Sequence, residues 1–331
     1  MDETITLVLR VAPDEPSPGP IATAAAALRR GWLVAFPTET VYGLGANALD
    51  PAAVGTIFRA KGRPPTNPVI VHVADEGMLT LVAADWPPAA AALARAFWPG
   101  PLTLVVPKAA AVPDVVTGGG PTVAVRWPTH PVAQALIRAA GVPVAAPSAN
   151  RSAELSPTRA EHVLAGLSGR VDVILDGGPT PAGIESTVVD VTTSPPTVLR
   201  PGPISVEQLE AVVGPVAQRT KGVESGPSPS PGMMARHYAP RTPVELVAGR
   251  DRLVGLASRG RVGVLALGPA AGVPGEVVAL PADPAGYAAR LYAALHDLDA
   301  LNLDRVLIEE PPATPEWLAV RDRLTRAATL E

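Results

Sequence analysis

Two cations two residues apart, Lys61 and Arg63, open a proline-rich stretch, RAKGRPPTNP (Arg59–Pro68). Basic residues just past a helix end are commonly a solvated cap that the helix dipole favours. Here Pro64, Pro65 and Pro68 stiffen the chain that follows, so the cations are held in place, as an anionic ligand requires. Further on, APSANRS (Ala146–Ser152) sets two hydroxyls and an amide after an apolar run, and such groups donate well to phosphate oxygens. Ser148 lacks the G-x-S-x-G elbow of a hydrolase nucleophile and has no histidine near it in sequence. No lysine follows a glycine, so there is no Walker A loop.

A third cluster, VAFPTETVYGLGANA (Val34–Ala48), contains the letters of a dinucleotide turn, Gly43-Leu-Gly45-Ala-Asn-Ala48. That turn must lead straight from a strand into a helix. Six residues separate Phe36 from Gly43, and helical pattern begins only near Pro51. The spacing therefore predicts that the two glycines shape a tight turn and that no redox cofactor is bound. The five histidines have no close metal-ligand spacing, and His72 alone interrupts an apolar run, VIVHV. A Mg²⁺ ion would arrive with a nucleotide and need few protein ligands.

Composition narrows the classes. The chain has 331 residues, 47% of them hydrophobic and 18% charged, which is the balance of a folded protein rather than a disordered one. It has no cysteine, which excludes disulfides, thiolate metal sites and thiol catalysis. A net charge of −4 weighs against a surface that coats nucleic acid. No apolar run approaches the roughly 18–20 residues of a membrane span, and the acidic start does not resemble a secretory leader. A cytoplasmic protein without membrane attachment is expected.

Strand-like runs alternate with helical patterns, which is the α/β signature. Strands are expected at Thr4–Arg10, Trp32–Phe36, Val69–Val73, Leu102–Val106, Thr122–Arg126, Val142–Ala146, Val171–Leu175, Ser186–Val191 and Thr197–Arg200. Helices are expected at Pro20–Arg30, from Asp50–Pro51 to Gly62, and at Val206–Val213. The polar clusters fall at strand ends, where α/β sheets gather ligands. Residues 214–242 are rich in Pro, Ser and Gly and read as a linker. Three segments follow: 1–213, the linker 214–242, and a small α/β domain at 243–331.

PTETVYGLGANA, KGRPPTNPVIVHV, WPGPLTLVV, TVAVRWPTHP, APSANRS and GIESTVVDV…VLRPG stand in the order and spacing of the threonylcarbamoyl-AMP synthase (YrdC-like) family. The chain resembles its long, two-domain form, and SPGMMARHYAP resembles that form's linker. The resemblance implies a large domain with a twisted mixed sheet flanked by helices, and a small Rossmann-like domain. It implies that L-threonine, bicarbonate and ATP give threonylcarbamoyl-AMP and pyrophosphate, with Mg²⁺ accompanying ATP. Thr40, His72, Arg126, the Ala146 backbone and Ser186 would hold threonine. Arg63, Asn67, Thr122, Ser148, Ser156, Arg200 and Tyr238 would hold ATP. Lys61, Arg63, Ser148 and Asn150 would act at the phosphates, and the linker would close as a lid. The product would pass to the machinery that transfers threonylcarbamoyl to tRNA, with a weak tRNA contact. The competing expectation is an RNA-binding module of the same fold without adenylation activity.

Overall fold

The structure, a computed structural model, describes residues 5–219 and 237–328. Among the described residues eleven strands share one sheet: β1 (Leu7–Arg10), β2 (Val34–Pro37), β3 (Tyr42–Asn47), β4 (Val71–His72), β5 (Leu102–Pro107), β6 (Thr122–Arg126), β7 (Val144–Ala145), β8 (Val173–Asp176), β9 (Thr187–Asp190), β10 (Thr197–Arg200) and β11 (Ala217–Gln218). Their order is β1-β8-β2-β3-β7-β4-β6-β5-β9-β10-β11, with parallel and antiparallel pairs mixed. Helices α1 (Pro18–Arg29), α2 (Pro51–Lys61), α3 (Glu76–Val82), α4 (Pro88–Phe97), α5 (Asp114–Thr117), α6 (Pro131–Ala140), α7 (Ala160–Leu167) and α8 (Val206–Val213) complete this part. Strands β2 and β3 are buried almost throughout, and Leu28, Ile57, Leu104, Leu136 and Val163 belong to the same apolar core.

The second sheet is small and wholly parallel, in the order β12 (Val244–Val247), β15 (Arg305–Glu309), β13 (Val262–Leu267) and β14 (Glu276–Leu280). Helices α9 (Arg250–Ala257), α10 (Pro284–Asp299) and α11 (Leu318–Ala328) accompany it. The sequence pattern here, strand-like at VELV, RVGVLAL and DRVLIEE and helical at Pro284–Ala300 and Pro315–Ala328, anticipates β12, β13, β15, α10 and α11 but not α9 or β14. Strand β14 has only four apolar residues in a row, Val277–Leu280, of which Leu280 alone is buried, and it lies between glycine- and proline-bearing turns. The expected lid falls mainly on residues 220–236, outside the described residues; its start contributes β11, which pairs with β10.

Local chemistry fixes the elements that carry the polar clusters. Asp50 accepts from the N–H groups of Ala52 and Ala53 ahead of Pro51, and Gly62 in the left-handed region (φ 63°) ends α2. That termination places Lys61 and Arg63 on the inward side of the α2 end. The expected strand Val69–Val73 shrinks to Val71–His72, because the backbone before it turns around the Arg63 side chain.

Gly43 and Gly45 do not shape a turn. Both lie within β3, antiparallel to β2, and neither has a positive φ. A Cβ on Gly45 would stand 2.8 Å from both Phe36 Cε1 and Val144 Cγ1, whereas one on Gly43 would meet Ala146 at 3.3 Å. The glycines admit neighbouring side chains over the strand rather than bending it.

The two sheets share a core. Val41, Leu155, Ile184 and Tyr238 pack with Tyr287, Leu291, Tyr292, Leu295, Val320 and Leu324 of α10 and α11. Gly183 (φ 71°) allows the closest approach, since a Cβ there would lie 2.3 Å from the Ala288 carbonyl oxygen. Overpacking a rigid core costs about 1–3 kcal/mol. Gly45→Ala should therefore lower the urea midpoint with an unchanged denaturant slope, and Gly43→Ala should do so less. Equal midpoints for Gly45→Ala and the wild type would refute the steric reading.

Candidate active site

The turn between β2 and β3 is tied by its own hydroxyls. Thr38 Oγ1 donates to the Val41 carbonyl at 2.7 Å and lies 2.8 Å from Thr40 Oγ1. Arg126, the last residue of β6, donates from Nη1 to Thr40 Oγ1 at 2.8 Å and from Nε to the Gly100 carbonyl at 3.3 Å. Its Nη2 stands 2.7 Å from Glu39 Oε1 as an ion pair. The contact lacks hydrogen-bond direction, and Nη2 and both Glu39 oxygens have no directed partner. Part of the guanidinium fork therefore stays available to another carboxylate.

Lys61 is buried among dipoles rather than anions. Its Nζ donates to the Ser148 carbonyl at 2.6 Å, to Asn150 Oδ1 at 3.2 Å, and to the Asn150 carbonyl. Burial, with Arg63 adding, pulls its pKa well below the usual lysine value. Arg63 donates from Nε to the Asn67 carbonyl at 3.0 Å and from Nη2 to the Pro68 carbonyl at 2.8 Å. The proline loop thus wraps the guanidinium. Burial, reinforced by Arg200, brings Arg63 down to about 10, so it remains charged at neutral pH.

On the opposite wall, Arg200 at the end of β10 donates to the Ser186 carbonyl from Nε (3.1 Å) and Nη2 (3.0 Å), and to Ser186 Oγ at 3.1 Å. Ser186 Oγ also lies 2.7 Å from Thr103 Oγ1. Antiparallel and parallel pairing bring these together, because Thr103 faces Arg126 across β5–β6 and Leu102 faces Thr187 across β5–β9.

A narrow cavity of about 40 Å³ joins the groups, lined by Thr38, Thr40, Arg63, His72, Arg126 and Ala146 among others. Ser148, Ser186, Arg200 and Tyr238 also line it. Of the sequence-predicted residues, Lys61 and Asn150 stand behind Ser148, and Asn67 behind Arg63. Ser156 is joined to the wall through Glu185, its Oγ donating to Oε1 at 2.5 Å. Thr122 is not brought in; it sits at the far end of β6 from Arg126, paired with Pro107. Among the described residues, buried Asn67 Nδ2, His72 Nδ1, His237 Nδ1 and the Tyr238 hydroxyl find no hydrogen-bond partner. Tyr238 holds a positive φ of 61°, a conformation that bulky residues avoid and that tends to occur at functional sites.

Pattern reading missed Glu39 and Glu185, although each lies inside a quoted cluster, PTET and GIEST. Either could have been found by asking what neutralises a buried arginine. A roomier cavity of about 630 Å³, between the Pro181–Glu207 region and α10–α11, holds none of these buried cations. Chemistry rather than volume locates the site. Among the described residues there is no group of three His, Asp or Glu placed to hold a metal ion, nor a helix long and apolar enough to cross a membrane.

Comparison with known proteins follows the same lines. Residues 26–202 match the family described as telomere recombination, and residues 204–329 match the threonylcarbamoyl-AMP synthase C-terminal domain. The threonylcarbamoyl-AMP synthase of Pyrococcus abyssi is 45% identical over 322 residues, covering 93% of this chain and 94% of that protein. Its Bacillus subtilis counterpart is 46% identical over 320 residues, covering 93% and 92%. The crystal structure of P. abyssi Sua5 complexed with L-threonine superposes with a TM-score of 0.91 at 43% identity, covering 98% of each chain.

The buried histidines make stability depend on pH. Burial, with Arg126 adding, lowers His72 to about 3, and burial lowers His237 to about 3 against the pull of Glu185. Unfolded, both titrate near 6.5, so between those values the unfolded chain binds more protons. Stability therefore rises with pH through this window and is lost as pH falls, by about 1–1.5 kcal/mol per histidine at pH ~5.5. Urea midpoints measured from pH 7 to 5 should fall, and His237→Asn should flatten the fall. A midpoint independent of pH over that range would contradict the neutral, buried assignment.

Proposed function

The chain belongs to the threonylcarbamoyl-AMP synthase family, and on that premise we propose how its own residues carry out the reaction. The protein converts L-threonine, bicarbonate and ATP into threonylcarbamoyl-AMP and pyrophosphate, the intermediate for N6-threonylcarbamoyladenosine beside the tRNA anticodon. Bicarbonate takes up a proton and loses water to give CO₂, and threonine's free amine bonds to that carbon and releases a proton, leaving a carbamate. A carbamate oxygen then attacks the α-phosphorus, the bond from that phosphorus to the bridging oxygen breaks, and pyrophosphate leaves. No protein nucleophile takes part, so catalysis is positioning and charge neutralisation.

One observation carries this reading: Arg126, Arg63 and Arg200 line one buried cavity with Lys61 behind its Ser148, and among the described residues Arg126 alone of the four has a carboxylate held against it by an ion pair. Arg126 takes the threonine carboxylate with the part of its fork that Thr40, Glu39 and Gly100 leave open. Thr40, His72, Ser186 and the Ala146 backbone surround the rest of the amino acid. Neutral His72 accepts or donates one hydrogen bond without adding charge beside Arg126. Arg63, Ser148 and Arg200 face the phosphates, with Lys61 and Asn150 behind Ser148 fixing its backbone, and the two guanidinium charges stabilise that of the departing pyrophosphate. Asn67, Ser156 and Tyr238 hold the rest of ATP, Thr122 at the far end of β6 standing away from it, and residues 214–242 close over the nucleotide as a lid between a catalytic domain at 1–213 and a domain at 243–331. A Mg²⁺ ion bound with ATP would neutralise phosphate charge, and with no cluster of His, Asp or Glu placed to hold it among the described residues it would depend little on protein ligands. The product goes on to tRNA threonylcarbamoyl-transfer machinery, with at most a weak tRNA contact by this acidic protein. Nothing in the site favours an RNA-binding module instead.

Pyrophosphate release should require threonine and bicarbonate together; release that needs neither would overturn the reading. Arg126→Ala should weaken threonine binding about tenfold or more while ATP binding changes little, measured by calorimetry. Equal losses for both ligands would refute the carboxylate assignment.

A further inference from the structure

The C-terminal domain reaches the cavity wall through one buried charge. The Arg323 side chain on α11 is fully buried, and its Nε donates to Glu185 Oε2 at 2.7 Å. The Tyr292 hydroxyl on α10 donates to the same oxygen at 3.2 Å, and the Arg323 guanidinium lies 5.3 Å over the Tyr238 ring. Glu185 Oε1 accepts from Ser156 Oγ at 2.5 Å, and His296 Nε2 of α10 stands 3.2 Å from the Ser156 carbonyl. Glu185 lines the cavity together with Arg63, Ser186 and Arg200.

A carboxylate in that wall is an odd choice beside cations that would meet a triphosphate. Unneutralised, it would repel the phosphates and draw in a neighbouring cation. Arg200 is the one at hand: its charge already acts on Glu185, after that of Arg323. Burial by itself would raise the Glu185 carboxyl, but Arg323 and then Arg200 outweigh it and hold it below the usual range. Stability is a weak reason for such a pair, because the desolvation of two buried ions offsets most of their attraction.

We propose that Arg323 is a positioning residue for the ATP site: from the C-terminal domain it neutralises Glu185 and so leaves Arg200 and Arg63 to the triphosphate. The inference rests on the synthase reading for the identity of the ligand. It gives the second domain a definite task, since the catalytic sheet has no arginine of its own on Glu185 Oε2 among the described residues.

The test uses the full-length protein, with ATP binding followed by calorimetry and turnover by pyrophosphate release. Arg323→Met should raise the Kd and KM for ATP about tenfold or more while the threonine KM stays within about twofold. Arg323→Lys should fall between it and the wild type. Adding Glu185→Gln to Arg323→Met should recover most of the lost ATP affinity, because the competing anion is gone. A merely structural tie predicts the reverse: both substrates lose alike and the double variant is no better than the single. That pattern, or an Arg323→Met protein that binds ATP within twofold of wild type, overturns the proposal. Should Arg323→Met fail to melt cooperatively, Arg323→Lys with and without Glu185→Gln makes the same comparison. Wild-type protein that binds ATP but releases no threonine- and bicarbonate-dependent pyrophosphate refutes the synthase reading alone, and the binding comparison still decides the role of Arg323. Wild-type protein that does not bind ATP overturns both.

Discussion

Burying more cations than anions around one cavity is the constraint on which the rest of this structure depends. Lys61, Arg63, Arg126 and Arg200 are each at most 6% exposed, and each needs compensation that water would otherwise give. Two carboxylates, Glu39 and Glu185, do not suffice for four cations, and Glu185 is itself occupied by Arg323. Backbone carbonyls make up the difference: those of Ser148 and Asn150 for Lys61, Asn67 and Pro68 for Arg63, and Ser186 for Arg200. Dipoles of this kind hold a cation in place without cancelling its charge.

That requirement explains why the site is made of strand ends and loops. A carbonyl inside a strand ladder is already engaged, so only segments leaving the sheet have oxygens to spare. The proline loop after α2 is the clearest case. Its prolines carry no N–H, and its backbone curls until two successive carbonyls meet one guanidinium.

The second domain belongs to the same account. Its helices α10 and α11 share a core with Val41, Leu155, Ile184 and Tyr238, residues beside the polar clusters, and Gly183 lets the two backbones approach. The docking brings a buried arginine, a tyrosine hydroxyl and a histidine to Glu185 and Ser156. An apolar interface alone would fix the domain's position; the polar contacts connect it to the chemistry.

The sequence by itself determined the α/β alternation, the ends of α2, the strands Thr122–Arg126 and Thr197–Arg200, and the family, because apolar period, caps and short motifs are local properties. It also marked polar clusters from which the fold draws the lining of one cavity. Strand β14 and helix α9 escaped because neighbours distant in sequence place them: β14 pairs along β13, and Leu253 and Ala257 of α9 cluster with Val247, Val264 and Leu307. The role of Gly43 and Gly45 was misread for the same reason: the side chains of Phe36 and Val144 that require them lie on other strands. Only the tertiary structure decided which cation meets which oxygen, that Thr122 lies away from the cavity, and that Glu185 is answered by Arg323, 138 residues later in the chain. Charge compensation acts through distance in space, and nothing in the local sequence of an arginine records which buried carboxylate it will be folded against.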